Sequence, residues 1–444
     1  MSTRYDSKET STSRESKELI EIEGDPDPSL DIPNKANILI ISRDQSYLTH
    51  GIHKFPAKFF PELPRYLIRK YSNAGDTVLD PMCGSGTVVL EAMLNNRIGI
   101  GIDIDPIAQL ITRVKTTPLP QDVLITAASN VIQQIKSLQQ SKNYSPSKPE
   151  FHYRDSWFRP YVLDELAIIK DSFSVLKSIT SVDQNHLLDF FNVALSSIIR
   201  EVSNADPHCT RTVLRKKVIK NISPGDTLRK FSLKLNQQLD DMKELTEKIR
   251  GMHVPKVTLS NTSALHTGLA DSSVDLAVTS PPYINAVDYP RTHQLEMYWL
   301  GLLGDGPLSK VKRKYIGTET VYKNEYQELQ RTGYKTLDPI LEKIYDIDPR
   351  RSFIVYKFFE DMETQLEEMK RILRPEGRYC IAIGNNLIRG IRVKSHEILA
   401  EIAESTIGFE LEKIFFSKLI RHFIRIPRRE RMHGEWVLIL QKPA

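Results

Sequence analysis

The stretch DTVLDPMCGSGTVVLEAMLNNRIGIGIDID, residues 76–105, constrains the fold of this chain more than any other part of the sequence. A short apolar run ends at Asp80 and is followed by a loop with Gly84 and Gly86, by a helical pattern, and by a second apolar run that ends at Asp103. An order of strand, glycine loop, helix and strand opens the nucleotide-binding type of α/β unit. The pattern therefore predicts an α/β protein with a Rossmann-like sheet.

The composition of the 444 residues limits the class of protein further. With 40% hydrophobic and 26% charged residues the chain can bury a sizeable core. It contains no apolar run of the roughly 18 residues that a membrane helix needs. Cys83, Cys209 and Cys380 are scattered and form neither a disulfide framework nor a zinc-binding pattern. We expect a cytoplasmic protein that has no membrane partner and requires no metal.

The patterning divides the chain into four regions. Residues 1–35 are polar and acidic and are predicted to form a flexible leader. Residues 36–118 hold the first half of the α/β core with the glycine loop, and residues 256–444 hold the second half with further strand patterns. Between them, residues 119–255 show helical spacing of apolar residues, so we expect a mostly helical insertion.

The glycine loop has the features of a cofactor site. Gly84 and Gly86 let a ligand approach the backbone closely, and the following helix directs its amide groups toward that ligand. Asp103 lies about twenty residues further on, the spacing of the acid that binds ribose hydroxyl groups. Asp80 would repel a pyrophosphate. It suits a cofactor with positive charge, such as the sulfonium and ammonium groups of S-adenosylmethionine.

A second chemical motif is TSPPY, residues 279–283, which follows the apolar run VDLAV. Neither proline can donate a hydrogen bond to a sheet ladder, so the strand must end there. The motif thus delivers a hydroxyl group, a rigid turn rich in carbonyl groups and an aromatic ring to the end of one strand.

Together, DPMCGSGT, GIDIDP and TSPPY resemble the amino-group DNA methyltransferases, which modify the exocyclic nitrogen of cytosine or adenine. The resemblance covers nearly all of residues 50–115 and 256–444, and it implies an S-adenosylmethionine-dependent methyltransferase core. In that family TSPPY is the catalytic motif and is most common among cytosine N4 enzymes, whereas adenine N6 enzymes more often carry Asp or Asn in place of Ser280. Most cytosine N4 relatives place this motif before the glycine loop, so the order in this chain leaves the target base open.

The resemblance also implies the site residues. The catalytic residues are Ser280, Pro281, Pro282 and Tyr283. The residues implied to bind the cofactor come from the segment HKFPAKFFP, the glycine loop, the end of the second strand and a later turn: Lys58, Phe59, Asp80, Pro81, Gly84, Ser85, Gly86, Thr87, Asp103, Ile104 and Asn261. Asn261 falls where many relatives carry an aspartate near the adenine ring, and an amide can also pair there.

The motif residues suggest how an amine could be methylated. A base inside a duplex hides its amino group, so it must be swung out and held flat. Tyr283 offers a ring for stacking, worth about 1–3 kcal/mol. The Ser280 hydroxyl oxygen and the Pro281 carbonyl could accept the two amine hydrogens and free the nitrogen lone pair. Methylation at cytosine carbon-5 requires, in its own family, a cysteine that follows a proline, and no cysteine here does.

Double-stranded DNA is the partner that the resemblance implies, and candidates for its binding fall in three places. The continuation of the catalytic motif contributes Asp288, Tyr289 and Arg291. Two basic clusters, one in the insertion and one near the end of the chain, contribute Arg211, Arg215, Lys216, Lys217, Arg425, Arg428 and Arg429. With a net charge of +5, these clusters favour a polyanionic partner, although such runs are also typical of a solvated face. Residues 119–255 are therefore a possible DNA-recognition region.

The leading hypothesis is a site-specific DNA methyltransferase that modifies the N4 amine of cytosine, in a restriction–modification setting with a possible companion restriction endonuclease. Adenine N6 methylation of DNA is the first alternative. Methylation of guanine N2 in RNA is a second, and a DNA-associated cofactor-binding protein without catalysis is a third.

Overall fold

The computed structural model describes residues 19–42, 44–215, 220–284, 287–303, 308–418 and 433–444. The strands within them are β1 (Leu19–Glu23), β2 (Asn37–Ile41), β3 (Thr77–Asp80), β4 (Ile98–Ile102), β5 (Thr258–Ser260), β6 (Val274–Thr279), β7 (Leu373–Ile383), β8 (Asn386–Ile388), β9 (Ile391–Val393), β10 (Glu410–Lys418) and β11 (Gly434–Gln441). Nine of these strands form one sheet in the order β1–β2–β10–β11–β7–β6–β3–β4–β5, and β8 pairs with β9 in a hairpin.

The large sheet is parallel except at β11, which runs antiparallel to its neighbours β10 and β7. The strand order reverses at β3, because β4 and β5 extend to one side of it and β6 and β7 extend to the other. Ligands of open α/β sheets bind at the carboxyl ends of the strands at such a reversal. The α/β, Rossmann-like fold predicted from the sequence is confirmed.

Helices cover the sheet and connect its strands. In the part of the chain that the structure describes they are α1 (Glu62–Tyr71), α2 (Thr87–Leu94), α3 (Pro106–Thr116), α4 (Gln121–Gln140), α5 (Arg154–Trp157), α6 (Pro160–Ser172), α7 (Gln184–Val202), α8 (Asp226–Lys248), α9 (Tyr289–Thr292), α10 (Gln294–Leu300), α11 (Leu308–Lys312), α12 (Asp338–Tyr345), α13 (Pro349–Ile372) and α14 (Ser395–Ile402). None of these helices combines the length and the apolar character that a membrane span requires.

The insertion is helical, as predicted, with α4 to α8 between residues 119 and 255. It does not form a core of its own. One buried apolar cluster joins Phe190 of α7 to Met93 of α2, Ile111 of α3 and Trp299 of α10. The insertion therefore extends the helical layer that packs beside the glycine loop.

The flexible leader predicted for residues 1–35 differs from the structure in its second half. The segment LIEIE forms β1, which pairs in parallel with β2 at the edge of the sheet. Ile20 and Ile22 pack on a buried apolar cluster, while the alternating glutamates give the strand a charged edge. The acidic composition concealed this alternation, which is the signal of a half-buried strand. Residues 1–18 lie outside the described residues.

Candidate functional site

The glycine loop and the double-proline turn lie at the same edge of the sheet. β3 and β6 are hydrogen-bonded neighbours, with Leu79 opposite Ala277. At their carboxyl ends the Thr279 hydroxyl donates a hydrogen bond to Asp80 Oδ1 at 2.7 Å. Because the loop begins directly after Asp80 and the prolines begin two residues after Thr279, the two motifs meet at the reversal of strand order.

A cleft opens at this edge, with about 840 Å³ of space that includes the open solvent at its mouth. Most of the residues that the sequence predicts for cofactor binding line the cleft, together with two residues of the catalytic motif and one of the DNA candidates: Lys58, Phe59, Asp80, Pro81, Gly84, Ser85, Thr87, Asp103, Ile104, Ser280, Pro282 and Tyr289. One cleft therefore joins the two motifs.

The shape of the loop requires its glycines. Gly84 and Gly86 have φ angles of 48° and 74°, in the left-handed region that favours glycine. A Cβ atom on Gly86 would lie 2.4 Å from the Cγ2 atom of Thr112 on α3, so that position has no room for a side chain. The Gly84 amide donates to Asp103 Oδ2 at 2.8 Å. The loop is thus held against the end of β4, where Asp103 faces the cleft.

Two carboxyl groups titrate near neutral pH in this cleft. Burial raises the pKa of Asp80 to about 7, although hydrogen bonds from Thr279 and Met82 act to lower it. Burial also raises the pKa of Asp103 to about 7, and the negative charge of Asp105 adds to this effect. A cation bound between the two groups would stabilise their charged forms.

The cleft lysine is already engaged by the backbone. The Lys58 ammonium donates to the carbonyl oxygens of Gln45 at 2.8 Å and of His50 at 3.1 Å. Burial lowers its pKa to about 8. Lys58 therefore holds the segment before α1 in place, and its side chain forms part of the wall of the cleft.

The TSPPY motif, predicted to be catalytic, divides between the cleft and the core. Ser280 and Pro282 line the cleft, whereas Pro281 is buried in the turn. Tyr283 does not line it. Its ring packs against the apolar cluster that includes strands β6 and β7, and its hydroxyl donates to Glu435 at the start of β11.

Two further predicted cofactor residues lie beside the main cleft. Gly86 shapes the loop without lining the cleft, and Asn261 is exposed and lines an adjoining cleft. Ile104 and Tyr315 are shared by the two clefts, so Asn261 lies on the continuation of the same wall.

The residues that follow the catalytic motif are engaged within the protein. Asp288 caps α9 by accepting the Arg291 amide at 3.2 Å, and it pairs with the Lys312 ammonium at 2.6 Å. Tyr289 stacks on Phe55, with ring centroids 5.6 Å apart. Arg291 is only partly exposed. The roles of these residues in DNA binding stay predictions.

The first basic cluster lies near α9. Arg211 and Arg215 are exposed, and Arg215 pairs with Asp206 at 3.1 Å. Between them the Thr212 hydroxyl donates to the Thr292 carbonyl at 2.7 Å. The insertion thus brings an exposed basic turn beside the continuation of the catalytic motif. The remaining DNA candidates fall outside the described residues: Lys216, Lys217, Arg425, Arg428 and Arg429.

Several residues that line the cleft were not predicted from the sequence: Phe55, Ala57, Met82, Cys83, Asp105, Ser263, Ala264, Lys314, Tyr315 and Ile316. The sequence did contain a signal for Asp105, since an aspartate before Pro106 is typical of the start of a helix. In the structure, Asp105 accepts hydrogen bonds from the amides of Ile107 and Ala108. Tyr315 comes from a segment without periodicity, where no local pattern points to the site. Within the described ranges, no group of three or more His, Cys, Asp or Glu side chains is arranged to hold a metal ion.

Comparison with known proteins shows what this chain is similar to. Residues 5–113 match the DNA methylase family model of the N6 and N4 methyltransferases. With the relatives below, this match confirms the resemblance to amino-group DNA methyltransferases.

Individual relatives extend the similarity along the chain. The Type II methyltransferase M.MvaI of Kocuria varians is 25% identical over 389 residues, which cover 83% of this chain and 84% of that protein. The Type II methyltransferase M.BsoBI of Geobacillus stearothermophilus is 25% identical over 421 residues, covering 83% and 80% respectively. A solved SAM-dependent methyltransferase of Methanosarcina mazei aligns over 85% of this chain and 97% of its own with 12% identity and a TM-score of 0.31.

Proposed function

We propose that this protein is a site-specific DNA methyltransferase that transfers a methyl group from S-adenosylmethionine to an exocyclic amine, with cytosine N4 as the favoured target. The observation that carries the proposal is the hydrogen bond between Thr279 and Asp80, which joins the ends of β6 and β3. It puts a cleft with two carboxyl groups next to a hydroxyl group and a rigid carbonyl-rich turn. The Type II methyltransferases among the relatives support action on DNA.

The cleft fits this cofactor. Asp80 and Asp103 favour a ligand with positive charge, because that charge would stabilise their ionised forms. Each Asp103 carboxyl oxygen accepts one backbone amide, from Gly84 or Asp105, and retains a lone pair for a ribose hydroxyl. Gly84 lines the cleft and presents the loop backbone there without a side chain. When bound, S-adenosylmethionine supplies an electrophilic methyl group.

The catalytic motif prepares the amine. The Ser280 hydroxyl oxygen and the Pro281 carbonyl accept its two hydrogens, which frees the nitrogen lone pair from the ring. Tyr283 supports the base, and the prolines keep the turn rigid, so that little reorganisation is needed during reaction. The surplus proton leaves to solvent, and no covalent intermediate with the protein forms.

The choice of base rests on Ser280. A hydroxyl at this position is typical of cytosine N4 enzymes in the family that the sequence resembles, whereas adenine N6 enzymes more often carry Asp or Asn. The exposed basic turn with Arg211 and Arg215, which Thr212 anchors beside α9, supports duplex DNA as the substrate. A companion restriction endonuclease and a cytoplasmic location remain predictions.

Nucleoside analysis tests the reaction and the base together. The purified full-length protein is incubated with tritiated S-adenosylmethionine and either mixed duplex DNA or structured RNA, and the products are digested and separated by chromatography. We expect label in N4-methylcytosine from DNA. Label in N6-methyladenine would establish the alternative base, label in RNA guanine would establish the RNA alternative, and absence of label would contradict the proposed activity.

Two substitutions test the assigned chemistry. Ser280→Ala removes an acceptor that acts in the transition state, so we expect a loss in kcat of about 10²-fold or more. Tyr283→Ala removes about 1–3 kcal/mol of stacking, equivalent to about 5- to 150-fold in transfer efficiency. Both variants should retain cofactor binding in calorimetry. Ser178→Ala, at an exposed serine of the insertion, is the matched control. Wild-type transfer by both site variants would refute the chemistry.

A further inference from the structure

Glu435 connects the catalytic motif to the antiparallel strand. Because β11 runs opposite to β7, its first residues lie at the edge where the parallel strands end, with Trp436 opposite Ile383. There Glu435 Oε1 accepts the hydroxyl hydrogen of Tyr283. Burial and the neighbouring carboxyl raise the pKa of Tyr283 well above its ordinary value, so the tyrosine stays the donor.

Three buried polar atoms near this contact have no hydrogen-bond partner among the described residues. They are Glu435 Oε2, the hydroxyl oxygen of Ser417, and the amide oxygen of Asn386. Ser417 is the direct cross-strand neighbour of Glu435 on β10. Asn386 donates to the carbonyl of Ile284, the residue after Tyr283, at 3.0 Å. Buried polar atoms without partners are costly and rare, and a group of them beside a catalytic motif indicates a polar ligand.

The surroundings of Glu435 act against its ionised form. Burial raises its pKa above the ordinary value of a glutamate, although the Tyr283 hydrogen bond acts in the opposite direction. Among the described titratable groups near this strand end, His396 of α14 stacks on Trp436, and burial lowers its pKa to about 4. Lys418, at the end of β10, is exposed. Within the described part of the chain, no ion pair offsets a negative charge on Glu435.

We propose that Glu435 is a further residue of the target-base site, where it fixes the Tyr283 hydroxyl through Oε1 and donates its Oε2 hydrogen to the ring nitrogen beside the target amine. This inference rests on the proposed methyl transfer and names how the extruded base is held.

The polar edge of the base matches this arrangement. In cytosine the amine is adjacent to N3, and in adenine it is adjacent to N1; both ring nitrogens accept hydrogen bonds. Ser280 and Pro281 take the two amine hydrogens, so the adjacent acceptor still requires a donor. A protonated carboxyl supplies that donor while its other oxygen continues to hold Tyr283.

The test compares Glu435→Gln and Glu435→Ala in the full-length protein. Steady-state methyl transfer to mixed duplex DNA gives kcat and KM from about pH 6 to 9, and calorimetry gives the S-adenosylmethionine dissociation constant. Glutamine keeps both an acceptor for Tyr283 and a donor for the base, and it does not titrate. Glu410→Gln, at an exposed glutamate of β10, is the matched control.

We expect wild-type kcat to fall as the pH rises through the titration of Glu435. Glu435→Gln should keep kcat within about threefold and lose this alkaline decrease, whereas Glu435→Ala should lose at least tenfold in kcat and raise KM for DNA. Cofactor affinity should stay within about twofold in both, which shows that the cleft is folded.

The inference is overturned if Glu435→Ala transfers methyl groups as fast as the wild type, or if both variants lose activity equally. Absence of transfer by the wild-type protein would instead refute the proposed function, and the inference would fall with it. The two failures are therefore distinguishable.

Discussion

At the scale of single residues, the ionisation of Asp80 and Asp103 makes both protein stability and cofactor binding depend on pH. Burial raises the pKa of each to about 7, above the ordinary value of 3.8. Between these values the native protein binds more protons than the unfolded chain, so the free energy of unfolding decreases as the pH rises through this window. The affinity for a cationic cofactor should instead increase with pH, because the cation favours the ionised carboxylates.

We therefore predict that S-adenosylmethionine binds more tightly at pH 8 than at pH 6, by up to about tenfold for each carboxyl group that ionises. Isothermal titration calorimetry at pH 6, 7 and 8 measures the dissociation constants. Asp103→Asn should bind more weakly and with a shallower pH dependence. Asp122→Asn, at an exposed aspartate of α4, should behave as the wild type. An affinity independent of pH in the wild type would contradict the prediction.

At the scale of elements, α11 and the following residues cover the cleft. Lys314, Tyr315 and Ile316 line it, and the ion pair between Lys312 and Asp288 attaches this cover to α9. The pair is mostly but not fully buried, so its contribution is about 0.5–1 kcal/mol. Loss of the pair should leave the cover more mobile over the cofactor.

Lys312→Ala removes this ion pair. Because about 0.5–1 kcal/mol corresponds to about two- to fivefold in rate, we expect S-adenosylmethionine to dissociate about two to five times faster from this variant. Stopped-flow displacement with unlabelled cofactor measures the rate. Lys310→Ala, two residues away at an exposed position of α11, provides the comparison. Equal rates in the two variants would show that the ion pair does not retain the cover.

A buried network of hydrogen bonds and ion pairs around Glu91 holds α2 to α1 and to the segment before it. The buried Glu91 carboxylate bonds His50 Nε2 at 2.8 Å and accepts the Arg65 Nε hydrogen at 2.7 Å, and Tyr47 also donates to it. Burial alone would raise the pKa of Glu91, but His50 and Arg65 lower it to about 2. Its contribution to stability is thus complete above about pH 4.5 and is lost as the pH falls toward 2.

Removing this carboxylate takes away the buried partner of Arg65 and leaves only the more exposed Asp25 to pair with it. We therefore predict that Glu91→Ala lowers the free energy of unfolding by about 3 kcal/mol, the lower end for a broken buried ion pair. Urea denaturation followed by circular dichroism at pH 7 measures the change. Glu247→Ala, at an exposed glutamate of α8, should change the stability by less than about 0.5 kcal/mol. A similar small effect for Glu91→Ala would mean that the network is not stabilising.

The elements also differ in how far the sequence predicts them. β3, the glycine loop, α2 and β4 follow from local patterns, and the meeting of Asp80 with Thr279 follows from the rule that ligand sites form where the strand order reverses. Tyr315 and Glu435 could not be predicted in this way. Tyr315 lies in a segment without periodicity, and Glu435 reaches Tyr283 only through antiparallel pairing across 152 positions of sequence. Long-range pairing leaves no local trace in residue order.

At the scale of the whole molecule, the insertion and the core share their apolar interior. Phe190 of α7 and Trp299 of α10 belong to the same cluster as Met93 of α2, which supports the glycine loop. Trp436 packs instead against the cluster on the sheet that contains β6 and β7. Because α2 and α3 connect the helical layer to the sheet, the insertion should not unfold separately from the cofactor site.

The three tryptophans allow this to be tested, since Trp299 reports the helical layer and Trp436 reports the sheet. The double variant Trp157→Phe/Trp436→Phe retains only Trp299, and Trp157→Phe/Trp299→Phe retains only Trp436. We predict that, in each variant, tryptophan fluorescence and far-ultraviolet circular dichroism give the same urea midpoint. Cofactor at 100 times its dissociation constant should stabilise each variant by about 2.7 kcal/mol, because ligand binding acts on the whole cooperative unit. If Trp299 reported an earlier transition that cofactor did not shift, the helical layer would be an independent folding unit.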